Sequence, residues 1–213
     1  MIACLDVHYT ESMAYAAALV FEDWTSPAGI AEHYASLPHS ANYEPGRFYL
    51  RELEPLLAVI RLLDRPIHVF VIDGYCQLSA EGEPGLGVHL AKALDGSAAI
   101  VGVAKNRYRT STHAVELQRG KGSRPLFITA IGMEAAQAAL HIASMAGEFR
   151  LPTLLRAVDR LSRLHAANEE VRRLLPELLA TSSADAGAAA SPSACELTPR
   201  GAAPADASPR AEA

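Results

Sequence analysis

Residues 67–73 read IHVFVID, a nearly continuous apolar run that ends in an acid. A run of this kind predicts a strand that is buried on both faces, as in the parallel part of an α/β sheet. A stretch with helical spacing follows at residues 86–94, and a second apolar run follows at residues 98–103. A strand, a helix and a further strand in this order predict a β-α-β unit, which places the chain in the α/β class.

The sequence before this unit predicts antiparallel strands. Residues 2–9 and 13–22 are apolar runs separated only by Thr10-Glu11-Ser12, a pattern typical of a hairpin. A third strand is predicted at residues 28–36. Residues 47–63 repeat large aliphatic side chains at helical spacing, so they predict a helix that packs on the sheet.

Four further elements are predicted downstream: strands at residues 113–118 and 125–129, and helices at residues 133–146 and 152–179. Residues 180–213 are dominated by Ala, Ser, Pro and Gly and have no periodic apolar face. Such a segment buries too little surface to offset the entropy lost on ordering. We therefore expect a folded domain over residues 1–179 and a disordered tail over residues 180–213.

Composition narrows the class of protein. The chain has 213 residues, of which 50% are hydrophobic and 20% charged, as expected for one globular domain. No apolar run is long enough to span a membrane, and the N-terminus has no signal-peptide pattern, so we expect a cytoplasmic protein without a membrane partner. The three cysteines are odd in number and lack a CxxC spacing, which argues against a disulfide framework or a zinc site.

Four acids stand out by their positions. Asp6 lies within the first apolar strand, and Asp73 ends the IHVFVID strand directly before Gly74. Glu52 and Asp159 lie on predicted helices. Each has an ordinary structural interpretation: a salt bridge for Asp6, an Asp-Gly turn for Asp73, a solvated helix face for Glu52 and a surface ion pair for Asp159.

Taken together, the four acids predict a metal site. Two adjacent strands carrying Asp6 and Asp73, approached by two helices carrying Glu52 and Asp159, would make a cage of oxygen ligands only. Mg²⁺ and Mn²⁺ prefer such ligands, and a cation relieves the repulsion between clustered carboxylates. Ions held in this way activate water and stabilise the leaving oxygen in phosphodiester cleavage.

The net charge of −5 argues mildly against a broad nucleic-acid surface. The charge is unevenly distributed, however, because residues 103–124 contain one acid and six cations: Lys105, Arg107, Arg109, Arg119, Lys121 and Arg124. A local patch of this kind binds phosphates, although an ordinary basic loop and hairpin would have the same composition.

The motifs around these residues resemble the endonuclease V family, which comprises metal-dependent deoxyinosine 3′-endonucleases with a ribonuclease H-like fold. The resemblance covers about residues 1–165, and seven motifs occur in the family's order: CLDVHY, NYEPGRFYLRE, VIDGY, LGVHL, IVGVAKNR, RPLFIT and FRLPTLLRAVDRLSR. It implies a mixed sheet with N-terminal antiparallel strands followed by parallel strands, flanked by helices.

The resemblance also implies roles for individual residues. Asp6 and Asp73 would be the principal ligands of Mg²⁺, for which Mn²⁺ may substitute, and Glu52 and Asp159 would complete the acidic cluster. Lys105 would stabilise charge at the scissile phosphate. The residues expected to contact the nucleic acid at the lesion, besides Lys105, are a wedge and a close-approach glycine: Tyr43, Pro45, Gly46 and Gly74. The expected partner is inosine-containing DNA, or RNA, bound by a monomer, and the expected product carries a 5′-phosphate.

Two alternatives follow from departures from the family pattern. The loop DGYCQLSA at residues 73–80 stands where the family usually has D-G-H-G-x-x-H-P, so that Tyr75, Cys76 and Ser79 replace its glycine and histidines. Because Asp6 lies almost at the start of the sequence, we also expect no counterpart of the helix that usually precedes the first strand in the family. A nucleic-acid-binding homologue with weakened catalysis is therefore the second hypothesis. A ribonuclease H-like nuclease with relaxed lesion specificity is the third.

Overall fold

The computed structural model describes residues 1–38 and 49–186, with the backbone alone for Leu50 and residues 173–186. Its strands are β1 (Ile2–Tyr9), β2 (Met13–Phe21), β3 (Ala31–Pro38), β4 (Val69–Asp73), β5 (Ala99–Ala104), β6 (Val115–Leu117) and β7 (Leu126–Ile131). Its helices are α1 (Tyr49–Ile60), α2 (Leu86–Ala93), α3 (Ala135–Ser144) and α4 (Thr153–Ala186). The chain divides into two compact units, Met1–Arg172 and Arg173–Ala213, and the first contains all seven strands.

The strands form one mixed sheet in the order β3-β2-β1-β4-β5-β7-β6. β1 pairs antiparallel with β2 and parallel with β4, and β4 pairs parallel with β5. The predicted hairpin, the β-α-β unit and the mixed sheet flanked by helices are therefore confirmed. The parallel part is limited to these three strands, since β7 returns antiparallel to β5 and β6 pairs antiparallel with β7.

Alternation along the strands divides the core between the two faces of the sheet. In β1, the side chains of Ile2 and Cys4 belong to the layer shared with α3 and the start of α4, whereas Ala3 and Leu5 belong to the layer shared with α1 and α2. Successive side chains on a strand point to opposite faces, so the same alternation continues from Leu5 to the next residue of β1. It places Asp6 on the α4 side of the sheet.

The predicted bounds of the third strand and of the strand at residues 113–118 are wrong. β3 begins at Ala31 because Gly29 packs against Leu19 and the Ile30 N–H bonds to the Val20 carbonyl (2.8 Å), so the chain is still turning there. β3 also runs through Pro38, which an edge strand tolerates because its outer N–H positions have no ladder partner. β6 is only three residues long, since residues 113 and 114 belong to a hydrogen-bonded turn.

The last helix is longer than predicted. α4 continues to Ala186, seven residues into the segment assigned to the tail. The rest of the predicted tail lies outside the described residues. Across the described part of the chain, no helix is long and apolar enough to cross a membrane.

Candidate acidic active site

The three parallel strands end side by side at one edge of the sheet. Leu5 of β1 pairs with Ile72 of β4, so the next residue on each strand, Asp6 or Asp73, lies at the same level of the sheet. Lys105 follows directly after the last residue of β5. The carboxyl ends of parallel strands are where open α/β sheets collect functional side chains, and here they collect two acids and a lysine.

These side chains line a cleft of about 770 Å³ that lies between the strand ends and α4. Asp6, Asp73 and Lys105 line one side of the cleft, and Asp159 lines the other. The structure therefore brings together four of the five predicted catalytic residues in one cleft. The fifth, Glu52, lies close enough to be electrostatically coupled to Asp6 and Asp73.

Asp6 is held by a serine of α4. The buried Ser162 hydroxyl donates a hydrogen bond to Asp6 Oδ2 at 2.7 Å, and it also lies 2.9 Å from the Asp159 carbonyl oxygen. Burial raises the pKa of Asp6 to about 6; the Ser162 bond opposes this rise, and repulsion by Asp159 and Asp73 adds to it. A carboxylate in this environment is charged only at a cost that a nearby cation would relieve.

Asp73 and Lys105 form an ion pair at the mouth of the site. Lys105 Nζ lies 2.5 Å from Asp73 Oδ2, and the two side chains are 39% and 42% exposed respectively. Burial alone would lower the pKa of Lys105, but its bond to Asp73 and the nearby acids raise it instead. Lys105 is therefore a fully charged cation at neutral pH and partly offsets the charge of the acidic cluster.

Asp159 forms the surface ion pair that its sequence context predicts. Arg163, one turn further along α4, donates to both carboxylate oxygens of Asp159 at 3.2 and 3.3 Å. The Asp159 side chain is 40% exposed, so the pair itself contributes little to stability. The same carboxylate nonetheless faces the cleft and repels Asp6, so the ion pair does not remove it from the cluster.

Glu52 is buried rather than solvated, so the ordinary interpretation of this residue is wrong. It lies in the first turn of α1 and is only 8% exposed. The Tyr9 hydroxyl lies 2.9 Å from the Arg51 carbonyl oxygen and also hydrogen-bonds the Glu52 carboxylate. Burial raises the pKa of Glu52 to about 8, opposed by the Tyr9 bond and reinforced by the charges of Asp6 and Asp73.

The raised pKa of Glu52 gives a stability prediction. Between its ordinary pKa of 4.5 and about 8, the unfolded chain has lost this proton while the folded chain retains it. Raising the pH therefore disfavours folding, by up to about 1.4 kcal/mol per pH unit. We expect the free energy of unfolding, measured without divalent cation, to fall between pH 6 and 8. The pKa of Asp6 is about 6, so Asp6 adds little to the pH dependence of stability above that pH. Chemical denaturation at several pH values measures this slope.

Glu52→Gln should remove most of this pH dependence, because glutamine does not titrate. The matched control is Glu54→Gln, which changes an exposed acid two residues further along the same helix and should leave the slope unchanged. An identical slope in Glu52→Gln and in the unmodified chain would contradict the assigned cause.

The donor set fits a hard divalent cation. Every anionic group of the cluster is a carboxylate, and mutual repulsion helps to raise the pKa of both Asp6 and Glu52. As the side chains stand within residues 1–38 and 49–186, no three of type His, Cys, Asp or Glu converge closely enough to hold an ion. Lys105 and Arg163 supply positive charge to Asp73 and Asp159 instead.

The loop that departs from the family pattern is packed against the segment that follows β5. The buried Tyr75 hydroxyl donates to the Asn106 carbonyl (2.8 Å) and accepts from the Tyr108 N–H (3.0 Å). Cys76 is fully buried, and burial raises the pKa of its thiol to about 12, so it is no nucleophile. Ser79 is also buried. This loop therefore holds in place the residues that come directly after Lys105.

Two of the six cations in the basic stretch at residues 103–124 have partners within the protein. Arg107 is paired with Glu116, and Arg119 donates to the backbone carbonyls of Met145, Gly147 and Phe149. Both side chains are therefore engaged in structural contacts. Lys105 is the member of the stretch that lines the cleft with the acids.

The residues that hold the acids carry no signal in the sequence. Ser162 and Tyr9 orient or shield the carboxylates, but nothing in a serine on a helix or a tyrosine on a strand indicates that role until the topology is known.

Three predicted wedge residues, Tyr43, Pro45 and Gly46, lie outside the described residues. Gly74 has φ +138°, a conformation that favours glycine, and space beside its Cα is open.

Comparison with known proteins supports the family resemblance. The family model for endonuclease V matches residues 1–141. Endonuclease V of Streptomyces coelicolor is 30% identical in an alignment 182 positions long, which covers 75% of this chain and 76% of the relative.

Solved structures show the same fold. Endonuclease V from Streptomyces avermitilis has a TM-score of 0.64 at 24% identity, over 80% of this chain and 82% of that one. Endonuclease V from Ciona intestinalis, solved with a 24mer DNA containing an inosine followed by a ribo-adenosine, has a TM-score of 0.65 at 19% identity, over 81% and 86% respectively. The matched family model and the curated relative together show that this chain belongs to the endonuclease V family of nucleic-acid endonucleases.

Proposed function

We propose that this protein hydrolyses the phosphodiester on the 3′ side of deoxyinosine or inosine in nucleic acid, with Mg²⁺ as cofactor and Mn²⁺ as a substitute. The observation that carries the proposal is the convergence of Asp6, Asp73, Lys105 and Asp159 in one cleft at the ends of three adjacent strands. Family membership supports the reaction class.

In this proposal, Asp6 and Asp73 are the principal ligands of the cation, and Glu52 and Asp159 complete its negative surroundings. When bound, a divalent cation supplies Lewis acidity toward a water molecule and toward the phosphate oxygens. Ser162 fixes one oxygen of Asp6, which leaves the second oxygen for the ion. Tyr9 shields Glu52 from solvent and donates a hydrogen bond to it.

Lys105 has a separate role. Its ammonium group lies at the end of β5 beside Asp73, where a phosphate drawn into the cleft would meet it. A lysine is a compact point charge, so it stabilises the charge that develops on the phosphoryl oxygens during displacement. Cleavage on the 3′ side of the lesion leaves a 5′-phosphate and a 3′-hydroxyl.

The inosine preference comes from the family resemblance, and the Ciona relative was solved with inosine-containing DNA. The lesion base would be exposed by flipping, which costs less at a mismatched or damaged base. Gly74 follows Asp73 directly and leaves open space beside the backbone, so a base could approach closely there. Tyr43, Pro45 and Gly46 remain the predicted wedge.

A cleavage assay on matched oligonucleotides tests this function. The substrates carry one deoxyinosine, one inosine or neither, and each is incubated with Mg²⁺, Mn²⁺ or EDTA. We expect cutting only in the presence of the metals and only near the inosine, with a ligatable 5′-phosphate on the downstream product.

The assay also separates the alternatives. Binding without cutting in either metal would overturn the proposed reaction and establish a nucleic-acid-binding homologue without catalysis. Metal-dependent cutting at equal rates with and without inosine would establish a nuclease with relaxed lesion specificity. The deoxyinosine and inosine substrates together give the preference for DNA or RNA.

A further inference from the structure

A row of arginines on α4 forms the wall of the cleft opposite the strand ends. Arg156, Arg160 and Arg163 are spaced by four and three residues, so they lie on one side of the helix. All three line the same cleft as Asp6, Asp73 and Lys105. The acidic cluster is therefore bordered by positive charge along the helix.

Among the described residues, four cations line the cleft, and two of them are already paired with its acids. Lys105 is paired with Asp73, and Arg163 is paired with Asp159. Arg156 and Arg160 have no carboxylate partner among the described residues. The positive charge of this pair is therefore available to a ligand.

The surroundings of Arg156 restrict its side chain. Its guanidinium lies over the ring of Phe149, 4.6 Å from the ring centroid, and that ring is 54% exposed. An aromatic ring holds the cation in place without neutralising its charge. Arg160 lies one helical turn further along, exposed to solvent.

We propose that Arg156 and Arg160 bind the phosphates of the nucleic-acid strand next to the scissile bond. This inference rests on the proposed function, because it takes the cleft to be the place where the strand is cut. Phosphates are the ligand that fits, since a guanidinium binds a phosphate through two parallel N–H bonds. The contacts are with the backbone and not with base edges, so they add affinity without sequence or lesion preference.

Salt-dependent binding tests this surface without requiring catalysis. Fluorescence anisotropy with labelled inosine-containing and inosine-free oligonucleotides is measured in EDTA between about 50 and 200 mM salt. The test variant is Arg156→Gln combined with Arg160→Gln. Removing one phosphate-binding cation should make the slope of log K against log salt shallower by about 0.7 to 0.9. The double variant should therefore have a slope shallower by about 1.4 to 1.8, equally on both oligonucleotides.

Two controls separate a local interaction from a change in net charge. Arg172→Gln removes an arginine from the same helix that does not line the cleft and that pairs with Glu169. We expect it to leave the slope unchanged. Arg156→Lys combined with Arg160→Lys keeps both charges, and we expect it to retain the slope.

The outcomes distinguish this inference from the reaction itself. A double variant whose slope equals that of the unmodified chain, or an equal reduction in Arg172→Gln, would overturn the phosphate-binding role even if the protein cuts at inosine. A shallower slope in the double variant alone would support it even if no cleavage is found. A reduction confined to the inosine-containing oligonucleotide would also overturn it, because it would indicate recognition of the lesion.

Discussion

Replacing Asp73 with asparagine is expected to lower the rate of cleavage by about 10³-fold or more while leaving the fold intact. The change keeps the size of the side chain but removes its negative charge, and with it one of the two proposed principal ligands. Asp73 is exposed at a strand end, so the free energy of unfolding should change by less than about 1 kcal/mol. Single-turnover cleavage of the deoxyinosine substrate and chemical denaturation measure the two quantities.

Glu116→Gln is the matched control. Glu116 is an acid of similar exposure that also pairs with a cation, Arg107, but it lies outside the cleft. We expect this variant to cleave at the unmodified rate. Cleavage by Asp73→Asn at the unmodified rate would remove Asp73 from the proposed site.

Removing Lys105 should slow cleavage strongly without abolishing metal binding. Lys105→Ala deletes the charge assigned to the phosphoryl oxygens, and the removal of one such group costs about 10²- to 10³-fold in rate. The same change frees Asp73 from the cation that lies 2.5 Å from it. We therefore expect the affinity for Mn²⁺, measured by calorimetry, to be unchanged or higher.

Slower cleavage together with unchanged or tighter Mn²⁺ binding is specific to the proposed role of Lys105. A lysine that merely neutralised the acids would, when removed, change metal binding with little effect on the rate at saturating metal. Lys121→Ala provides the control, since Lys121 belongs to the same basic stretch but is exposed on the turn before β7 and lies outside the cleft. Full activity in Lys105→Ala would contradict the assignment.

The strand pattern is readable from the sequence because it depends on local composition. The apolar runs of β1 and β4 each end near an acid, but the pairing of β1 with β4 is a long-range contact that local composition does not reveal. The order of motifs then indicates which acids belong together. Boundaries that depend on neighbours are less accurately predicted: β3 starts only after Gly29, which packs against Leu19.

Long-range contacts explain most of what the sequence does not reveal. Nothing in the local sequence distinguishes Glu52 from a solvated helix residue. Its burial and its hydrogen bond from Tyr9, on a distant strand, become visible only in the fold. Similarly, the basic stretch indicates a phosphate patch, but Arg107 and Arg119 are engaged by Glu116 and by backbone carbonyls. In the sequence, the arginines of α4 indicate only ion pairs with Asp159, because their position across the cleft depends on how that helix packs.

The hydrogen bond between Ser162 and Asp6 joins residues 156 positions apart in the chain. During synthesis at about 5 to 20 residues per second, Asp6 is made many seconds before its partner, and closing so distant a contact is a late step in folding. A nascent chain that ends before α4 contains the strand acids but neither Ser162 nor Asp159. The cleft is therefore complete only after translation has passed Arg163, so a shorter nascent chain carries the strand acids without the rest of the proposed site.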